Sequence, residues 1–275
     1  MIYNAFQDMK LSALGMGNMR LPVMDGNDAA IDEAATEAIL DYCMAHGINY
    51  YDTAWGYHSG NSELVVGKLL QKYPRESFYL ASKFPGYDLS NMPKVQEIFE
   101  EQLKKCQVDH FDFYLFHNVC EMNIDAYLDP RYGIHDYLME QKKNGRIRHL
   151  GFSCHGNLPV LKRFLDACGK DNLGVVVDLM CLAQTGETAQ DAYDACGKDK
   201  IRSVHYRDGA LLETGSWANR VPGEGTLSLD ADLQVFDEQE YQGYFGSEIR
   251  WSTDPDLNTP ELVCKKIQDW IDLHF

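Results

Sequence analysis

Several features are scarce or missing in this sequence of 275 residues. It has no apolar run of about 18 residues, the length that a membrane-spanning helix needs, and no N-terminal signal peptide is apparent. None of its 8 cysteines forms a Cys-x-x-Cys pair. Scattered cysteines fit reduced thiols better than a disulfide framework or a structural zinc site. We therefore expect a cytoplasmic protein with no membrane partner.

Basic side chains are also scarce. Lys and Arg number 25 against 42 Asp and Glu, which gives a formal net charge of -17 and a pI of about 4.8. Such a surface repels the phosphates of nucleic acids, so we expect no nucleic-acid partner. Hydrophobic residues make up 45% of the chain, enough for a sizeable buried core. The composition thus favours a globular protein with a small-molecule substrate.

Short apolar runs alternate with longer amphipathic segments along the whole chain. Their composition predicts strands at residues 12–15, 48–52, 78–83, 111–117, 147–153, 174–179, 201–205 and 243–249. Helical periodicity lies between them, at residues 30–46, 61–73, 92–106, 136–144, 158–168, 188–196 and 230–240, and again near the C-terminus. Strands that alternate with helices form parallel sheets with crossover helices.

We therefore predict an α/β fold with one domain, a (β/α)8 TIM barrel over residues 1–275. A doubly wound open sheet is the alternative, but no Gly-x-Gly-x-x-Gly follows the first predicted strand. Residues 210–226 are expected to form a long loop after the seventh strand.

Polar side chains stand at the ends of three consecutive predicted strands. Asp52 ends the second strand, Lys83 the third and His117 the fourth, and Tyr57 follows Asp52 closely. Because the carboxyl ends of barrel strands meet at one mouth, these four residues should lie together. Asp52 can supply the counter-charge that a desolvated Lys83 needs. A cation beside Tyr57 stabilises a phenolate, so Tyr57 is a candidate general acid, while His117 can polarise a substrate carbonyl.

The first part of the chain resembles the aldo-keto reductases. The matching stretches are residues 14–17, 47–57, 79–83, 112–117 and 145–153, within a region of roughly 1–170. The resemblance implies units 1–5 of a TIM barrel and an NADP(H) or NAD(H) cofactor. It implies a small-molecule carbonyl substrate and a catalytic tetrad of Asp52, Tyr57, Lys83 and His117. It also implies that Asn118 and Ser153 lie near the nicotinamide.

The last part of the chain, roughly residues 172–275, resembles the xylose-isomerase-like sugar isomerases and epimerases instead. The matching stretches are residues 174–187, 201–209, 221–226 and 241–249. This resemblance implies barrel units 6–8, a sugar substrate and a divalent metal, Mn²⁺ or Mg²⁺. Asp178, His205 and Glu248 would be its ligands. The fourth ligand, an acid on the fifth strand, is missing.

The two resemblances together predict a chimeric barrel built from parts of two families, with a join near residues 169–174. An engineered or designed recombinant and a natural fusion are both open interpretations. The chimeric barrel leaves three functions open. The first is a carbonyl reductase, working or vestigial, and the second is a metal-dependent sugar isomerase or epimerase. The third is a folded scaffold without native activity. The complete tetrad favours the reductase among the two activities, although the reductase's phosphate-binding motifs are not recognisable in the last part.

Overall fold

The computed structural model describes residues 1–248 and 259–274. The chain divides into two compact units, Met1–Cys154 and His155–Phe275, and each is described by itself. Within the described residues, no helix combines the length and the apolar composition that crossing a membrane requires.

The first unit is built on a five-stranded parallel sheet whose strands are paired in chain order. These strands are β3 (Met16–Gly17), β4 (Tyr50–Asp52), β5 (Tyr79–Phe84), β6 (Phe111–Val119) and β7 (Ile147–Cys154). The helices of this unit are α1 (Glu33–Ala45), α2 (Ser62–Leu70), α3 (Val95–Cys106), α4 (Ile124–Tyr127) and α5 (Ile134–Lys143), with short 3-10 turns at Tyr57–Gly60, Arg75–Ser77 and Leu89–Lys94. Fully buried aromatic side chains form its core, among them Tyr51, Phe84, Phe99, Phe111 and Tyr114.

An antiparallel hairpin, β1 (Tyr3–Phe6) and β2 (Met9–Ser12), precedes the parallel sheet. The strand predicted at residues 12–15 is therefore misplaced, because Ser12 ends the hairpin and the sheet begins with β3. The chain bends between β2 and β3, where the Ser12 hydroxyl donates to the carbonyl of Leu14 at 2.7 Å. Leu14 is 60% exposed and contributes little to the core.

Helices α2 and α3 pack with their backbones in contact. A Cβ on Gly67 of α2 would lie 2.5 Å from the Cα of Cys106 in α3, which is closer than any real side chain tolerates. Only glycine allows this approach. The contact places the inner faces of both helices directly behind strand β5.

The second unit contains a three-stranded parallel sheet in the order β12-β9-β8. Its strands are β8 (Val175–Asp178), β9 (Ile201–Tyr206) and β12 (Tyr244–Ser247), and a separate antiparallel hairpin comprises β10 (Asp208–Leu211) and β11 (Trp217–Arg220). Its helices are α6 (Leu158–Cys168), α7 (Leu179–Thr185), α8 (Ala189–Cys196), α9 (Leu229–Glu238) and α10 (Pro260–His274). The hairpin occupies much of the segment predicted as a loop at residues 210–226. The predicted strand end at Ile249 lies outside the described residues.

A loop after β11 is organised around one buried carboxylate. Asp208 is 1% exposed, and its Oδ1 accepts from the backbone N–H groups of Gly209 and Leu227. Its Oδ2 accepts from the N–H groups of Gly223 and Gly225 at 3.1 and 2.9 Å. The Gly-rich segment thus surrounds a side chain of the protein itself.

Both units have parallel strands that alternate with helices, so the α/β prediction is confirmed. Closure of the strands into one eight-stranded barrel stays a prediction.

Candidate active site

Three neighbouring strands of the first unit bring the predicted tetrad together. Asp52 is the last residue of β4, while Lys83 lies in β5 and His117 in β6. Tyr57 begins the 3-10 turn that follows β4. Because β4, β5 and β6 are parallel and adjacent, their carboxyl-terminal ends lie at one edge of the sheet.

Lys83 is the centre of this cluster. Its Nζ lies 2.5 Å from Oδ1 of Asp52 and donates to the carbonyl of Thr53 at 2.8 Å. It also donates to the hydroxyl oxygen of Tyr57 at 3.2 Å and lies 4.7 Å from the centre of the Tyr57 ring. Lys83 is 6% exposed, so its charge is compensated by protein groups more than by water.

The electrostatics of Asp52 follow from the same contacts. Burial raises the pKa of Asp52, and the Lys83 ammonium opposes that rise through its charge and hydrogen bond. The Asp52 side chain retains 26% of its exposure, against 7% for that of Lys83. The pair is therefore anchored in the protein with one edge of the carboxylate open to solvent.

Aromatic rings surround His117. The Tyr57 ring meets it edge-on with centroids 6.0 Å apart, and the Tyr87 ring does so at 5.3 Å. The Tyr87 hydroxyl packs directly on Gly56, the residue before Tyr57. Tyr87 was not predicted as a site residue. Its signal in the sequence is an aromatic residue just after Pro85 and Gly86, in the loop that leaves β5.

One buried hydroxyl links the loops that follow β5 and β6. The Tyr127 hydroxyl accepts from the backbone N–H of Gly86 at 3.1 Å and donates to the carbonyl of His117 at 2.8 Å. Tyr127 is 3% exposed and belongs to the short helix α4, which was not predicted. It holds the two chain segments that carry Tyr87 and His117 at a fixed separation.

Asn118 and Ser153 lie side by side at the ends of β6 and β7. The backbone N–H of Asn118 donates to the Ser153 hydroxyl at 2.8 Å. Asn118 has a φ of 58°, in the left-handed region that few residues other than glycine adopt. An amide and a hydroxyl at this position are groups that can pair with a carboxamide, so the donor set fits the amide of a nicotinamide.

The arrangement is suited to moving a proton at the Tyr57 oxygen. An ammonium that donates to a phenol oxygen stabilises the negative charge that appears when the phenol gives up its proton. Asp52 fixes that ammonium in place. A carbonyl oxygen placed near Tyr57 and His117 would thus meet a proton donor and a polar ring.

A second polar cluster forms in the other unit, from residues predicted as metal ligands. Asp178 ends β8, His205 lies in β9 and Glu248 follows β12. One ligand atom from each lies within 4.8 Å of the others. His205 Nδ1 is 3.9 Å from Oδ2 of Asp178 and 3.2 Å from Oε2 of Glu248. Oxygen and imidazole ligands suit Mn²⁺ and Mg²⁺.

A cation of the protein already occupies part of this cluster. Arg207 is 6% exposed, and its Nε lies 2.9 Å from Oδ2 of Asp178. Oδ1 of Asp178 accepts from the backbone N–H of Cys181 and caps helix α7. Burial raises the pKa of the Cys181 thiol to about 11. The geometry of the three ligands fits a metal, but Arg207 competes with it for Asp178.

Comparison with known proteins agrees with the geometry of the first unit. A model of the aldo/keto reductase family matches residues 13–177, more than half of the chain. Probable aldo-keto reductase 1 of Glycine max is 29% identical over 158 residues, 54% of this chain and 42% of that protein. The NADH-specific methylglyoxal reductase of Escherichia coli is 28% identical over 164 residues, 52% of this chain and 48% of that enzyme.

These matches span about half of each curated relative. Among solved structures, the holo form of an aldo-keto reductase from Bacillus halodurans has a TM-score of 0.57 at 21% identity and covers 95% of this chain and 87% of its own. That likeness concerns the fold, which is an α/β barrel in the family. The family uses NAD(P)H and acts on small-molecule carbonyl substrates. From its sequence and the fold of its matched region, the chain belongs to the aldo/keto reductase family.

Proposed function

We propose that the chain is an NAD(P)H-dependent carbonyl reductase with Tyr57 as the general acid. The observation that carries this proposal is the position of one atom. Lys83 Nζ lies 2.5 Å from Asp52 and 3.2 Å from the Tyr57 hydroxyl. An ammonium held in this way stabilises the phenolate that remains after Tyr57 has protonated a carbonyl oxygen.

The remaining roles follow from the same contacts. The reduced nicotinamide, when bound, supplies the hydride. His117 orients the carbonyl oxygen, and Asn118 and Ser153 hold the carboxamide of the cofactor. Asp52 keeps Lys83 in place and balances its charge, since an isolated ammonium this deeply buried would be costly. Together, these residues bind and orient the reactants and deliver one proton.

The proposal is tested by following the oxidation of NADPH and of NADH with a panel of small aldehydes and dicarbonyls, including methylglyoxal. Tyr57→Phe removes only the acidic hydroxyl, and we expect kcat to fall about a hundredfold or more. Tyr42→Phe is the matched control, because Tyr42 is 64% exposed on α1. Reduction that persists unchanged in Tyr57→Phe would contradict the role of Tyr57. A wild-type protein that oxidises neither cofactor would support the scaffold alternative.

A second candidate function is supported by the clustering of Asp178, His205 and Glu248. We propose that this cluster is a divalent-metal site inherited from a sugar isomerase or epimerase. The ligand atoms lie within 4.8 Å of one another, although Arg207 pairs with Asp178. The family match covers residues 13–177 and so does not include the cluster.

Calorimetric titration with Mn²⁺ tests the second candidate. Binding by the wild-type chain that His205→Ala abolishes is the expected result. Arg207→Met should strengthen binding, because it removes the cation that competes for Asp178. If neither the wild-type chain nor Arg207→Met binds Mn²⁺, the cluster is an ion-pair network, and the composite origin loses its functional support.

A further inference from the structure

A buried polar network lies behind the candidate active site. Glu63 on α2 is 0% exposed, and Lys105 on α3 is 9% exposed. Lys105 Nζ lies 2.8 Å from Oε2 of Glu63. The other carboxylate oxygen accepts from the Ser82 hydroxyl at 2.7 Å and from the Gln102 amide at 2.6 Å. Every charged group of this network therefore has a partner.

The network touches the active-site strand from the rear. Ser82 immediately precedes Lys83 in β5. The Gln102 amide also donates to the backbone carbonyl of Lys83 at 3.0 Å. The Tyr114 hydroxyl in turn donates to Oε1 of Gln102 and fixes its amide. The backbone that carries Lys83 is thus tied to the Glu63–Lys105 pair.

The same pair also touches the segment that carries Tyr57. Lys105 Nζ lies 4.4 Å from the centre of the Trp55 ring, a cation–π distance. Trp55 stands between Asp52 and Tyr57 in the chain. A cation–π contact away from bulk water is stronger than one at the surface. One ammonium therefore joins α3 to the loop after β4.

Stability alone does not account for a buried ion pair. Replacing such a pair by apolar residues of similar size is often neutral or stabilising, because the cost of desolvating both charges disappears. A well-packed apolar pair could not make the cation–π contact with Trp55, nor could it accept the Ser82 and Gln102 hydrogen bonds. The contacts that an apolar pair would lose all lead to the two segments that bear Tyr57 and Lys83.

We propose that Lys105, held by Glu63, is a positioning residue that sets the distance between Tyr57 and Lys83 through the Trp55 ring. The inference rests on the proposed reductase function and adds residues outside the tetrad to it. Lys105 touches no reactant. Its effect should therefore appear in kcat, which depends on the alignment of the proton donor, and not in KM for the cofactor.

The double variant Glu63→Gln/Lys105→Met tests the inference without leaving an unpaired buried charge. We expect kcat to fall about thirtyfold, the value of one desolvated cation–π contact, with KM for NAD(P)H unchanged. The single variant Lys105→Arg, with Glu63 in place, should keep most of the wild-type kcat, because a guanidinium also stacks on an aromatic ring. The matched control is Glu33→Gln/Lys68→Met, which removes an exposed pair 2.5 Å apart at α1 and α2. The control should keep wild-type kcat.

A mutant cycle with Trp55→Leu distinguishes positioning from general loosening. We call Glu63→Gln/Lys105→Met the neutral-pair variant. If Lys105 acts through the ring, these two substitutions should lower kcat little further in a chain that already carries Trp55→Leu. A combined loss of kcat equal to the product of the two separate losses would overturn the inference. So would a kcat equal to that of the wild type in the neutral-pair variant.

A readout that needs no activity separates this inference from the proposed function. The NMR signal of ¹³C-labelled Tyr57, assigned by its disappearance in Tyr57→Phe, should shift in the neutral-pair variant and not in the control. A shift in a chain that reduces no carbonyl would support the positioning contact while the reductase function fails. An unmoved Tyr57 signal in an active enzyme would overturn the inference and leave the reductase function intact.

Discussion

At the scale of single residues, Asn118 combines two properties that usually conflict. Its φ of 58° suits glycine, yet its side chain is the amide that we assign to the nicotinamide. Asparagine tolerates the left-handed region better than most residues, so it supplies an amide where alanine would be strained. The backbone N–H of Asn118 is fixed by Ser153, which keeps the amide at the strand end.

Two substitutions at this position separate the chemistry from the backbone. Asn118→Gly and Asn118→Ala both remove the amide, so both should raise KM for NAD(P)H by a similar factor, about fivefold for one lost hydrogen bond. Only Asn118→Ala should also lower the free energy of unfolding, by about 1 kcal/mol, because alanine carries a Cβ at positive φ. Steady-state kinetics and urea unfolding measure the two effects. Equal unfolding free energies for both variants would contradict the backbone argument.

The sequence indicated that Asp52, Lys83 and His117 would lie close together, but it did not indicate the groups behind them. Asp52, Lys83 and His117 stand at strand ends, and the parallel topology brings such positions together. Glu63 and Lys105 lie on helices, where charged residues usually face water. Their burial depends on the approach of α2 to α3 at Gly67, which no periodicity in the sequence reveals.

At the scale of elements, a bidentate ion pair ties the middle of α3 to the residue that precedes β7. Arg146 donates to both carboxylate oxygens of Glu100, at 2.6 and 2.7 Å. These hydrogen bonds hold the pKa of Glu100 below its ordinary value. The guanidinium also lies 5.2 Å from the ring centre of Phe99, so the pair borders the core.

The lowered pKa of Glu100 gives a stability that depends on pH. The ion pair contributes above the ordinary value of 4.5, where the unfolded chain would also be ionised, and its contribution is lost as pH falls through the lower folded pKa. We therefore expect Glu100→Gln to lower the thermal midpoint at neutral pH, with the difference from wild type shrinking below pH 4.5. Glu101→Gln, at a pair of 3.7 Å, is the control and should show a smaller difference. A difference that stays constant with pH would contradict the role of the charge.

The ends of helices and strands were predictable where a capping residue or a turn residue marks them in the sequence. The helix predicted at residues 158–168 coincides with α6, whose start is capped by the Asn157 side chain. Helix α7 was missed because it continues an apolar run directly from β8, and a short apolar run does not distinguish strand from helix. The hairpin of β10 and β11 was missed because its short strands are only partly apolar.

At the scale of the whole molecule, the barrel fold of the family makes a prediction about strand edges. In the two parallel sheets, β7 and β8 each pair with one neighbour inside their own sheet. Closure into a single barrel domain would give every strand of the two parallel sheets two neighbours. The backbone N–H groups along both edges of β7 and β8 would then be hydrogen-bonded.

Hydrogen exchange resolved by residue tests closure. We expect the amides of β7 and β8 to exchange as slowly as those of β5, which has strands on both sides. The hairpin of β1 and β2 is the control, since one edge of each strand lacks a partner in its two-stranded sheet. Alternate amides of β7 that exchange as fast as those of the hairpin would indicate open sheets instead of a barrel.

The buried carboxylate of Asp208 limits which residues of the loop after β11 can be substituted. The loop after β11 binds it through backbone N–H groups, which every residue type except proline supplies. Gly223 has a φ of 86°, and any Cβ on Gly225 would collide with the carboxylate, so both positions need glycine. Two glycines and one aspartate thus fix the backbone around the carboxylate. Glu224, which lies between the glycines and pairs with Lys266 on α10, should accept substitution without loss of that conformation.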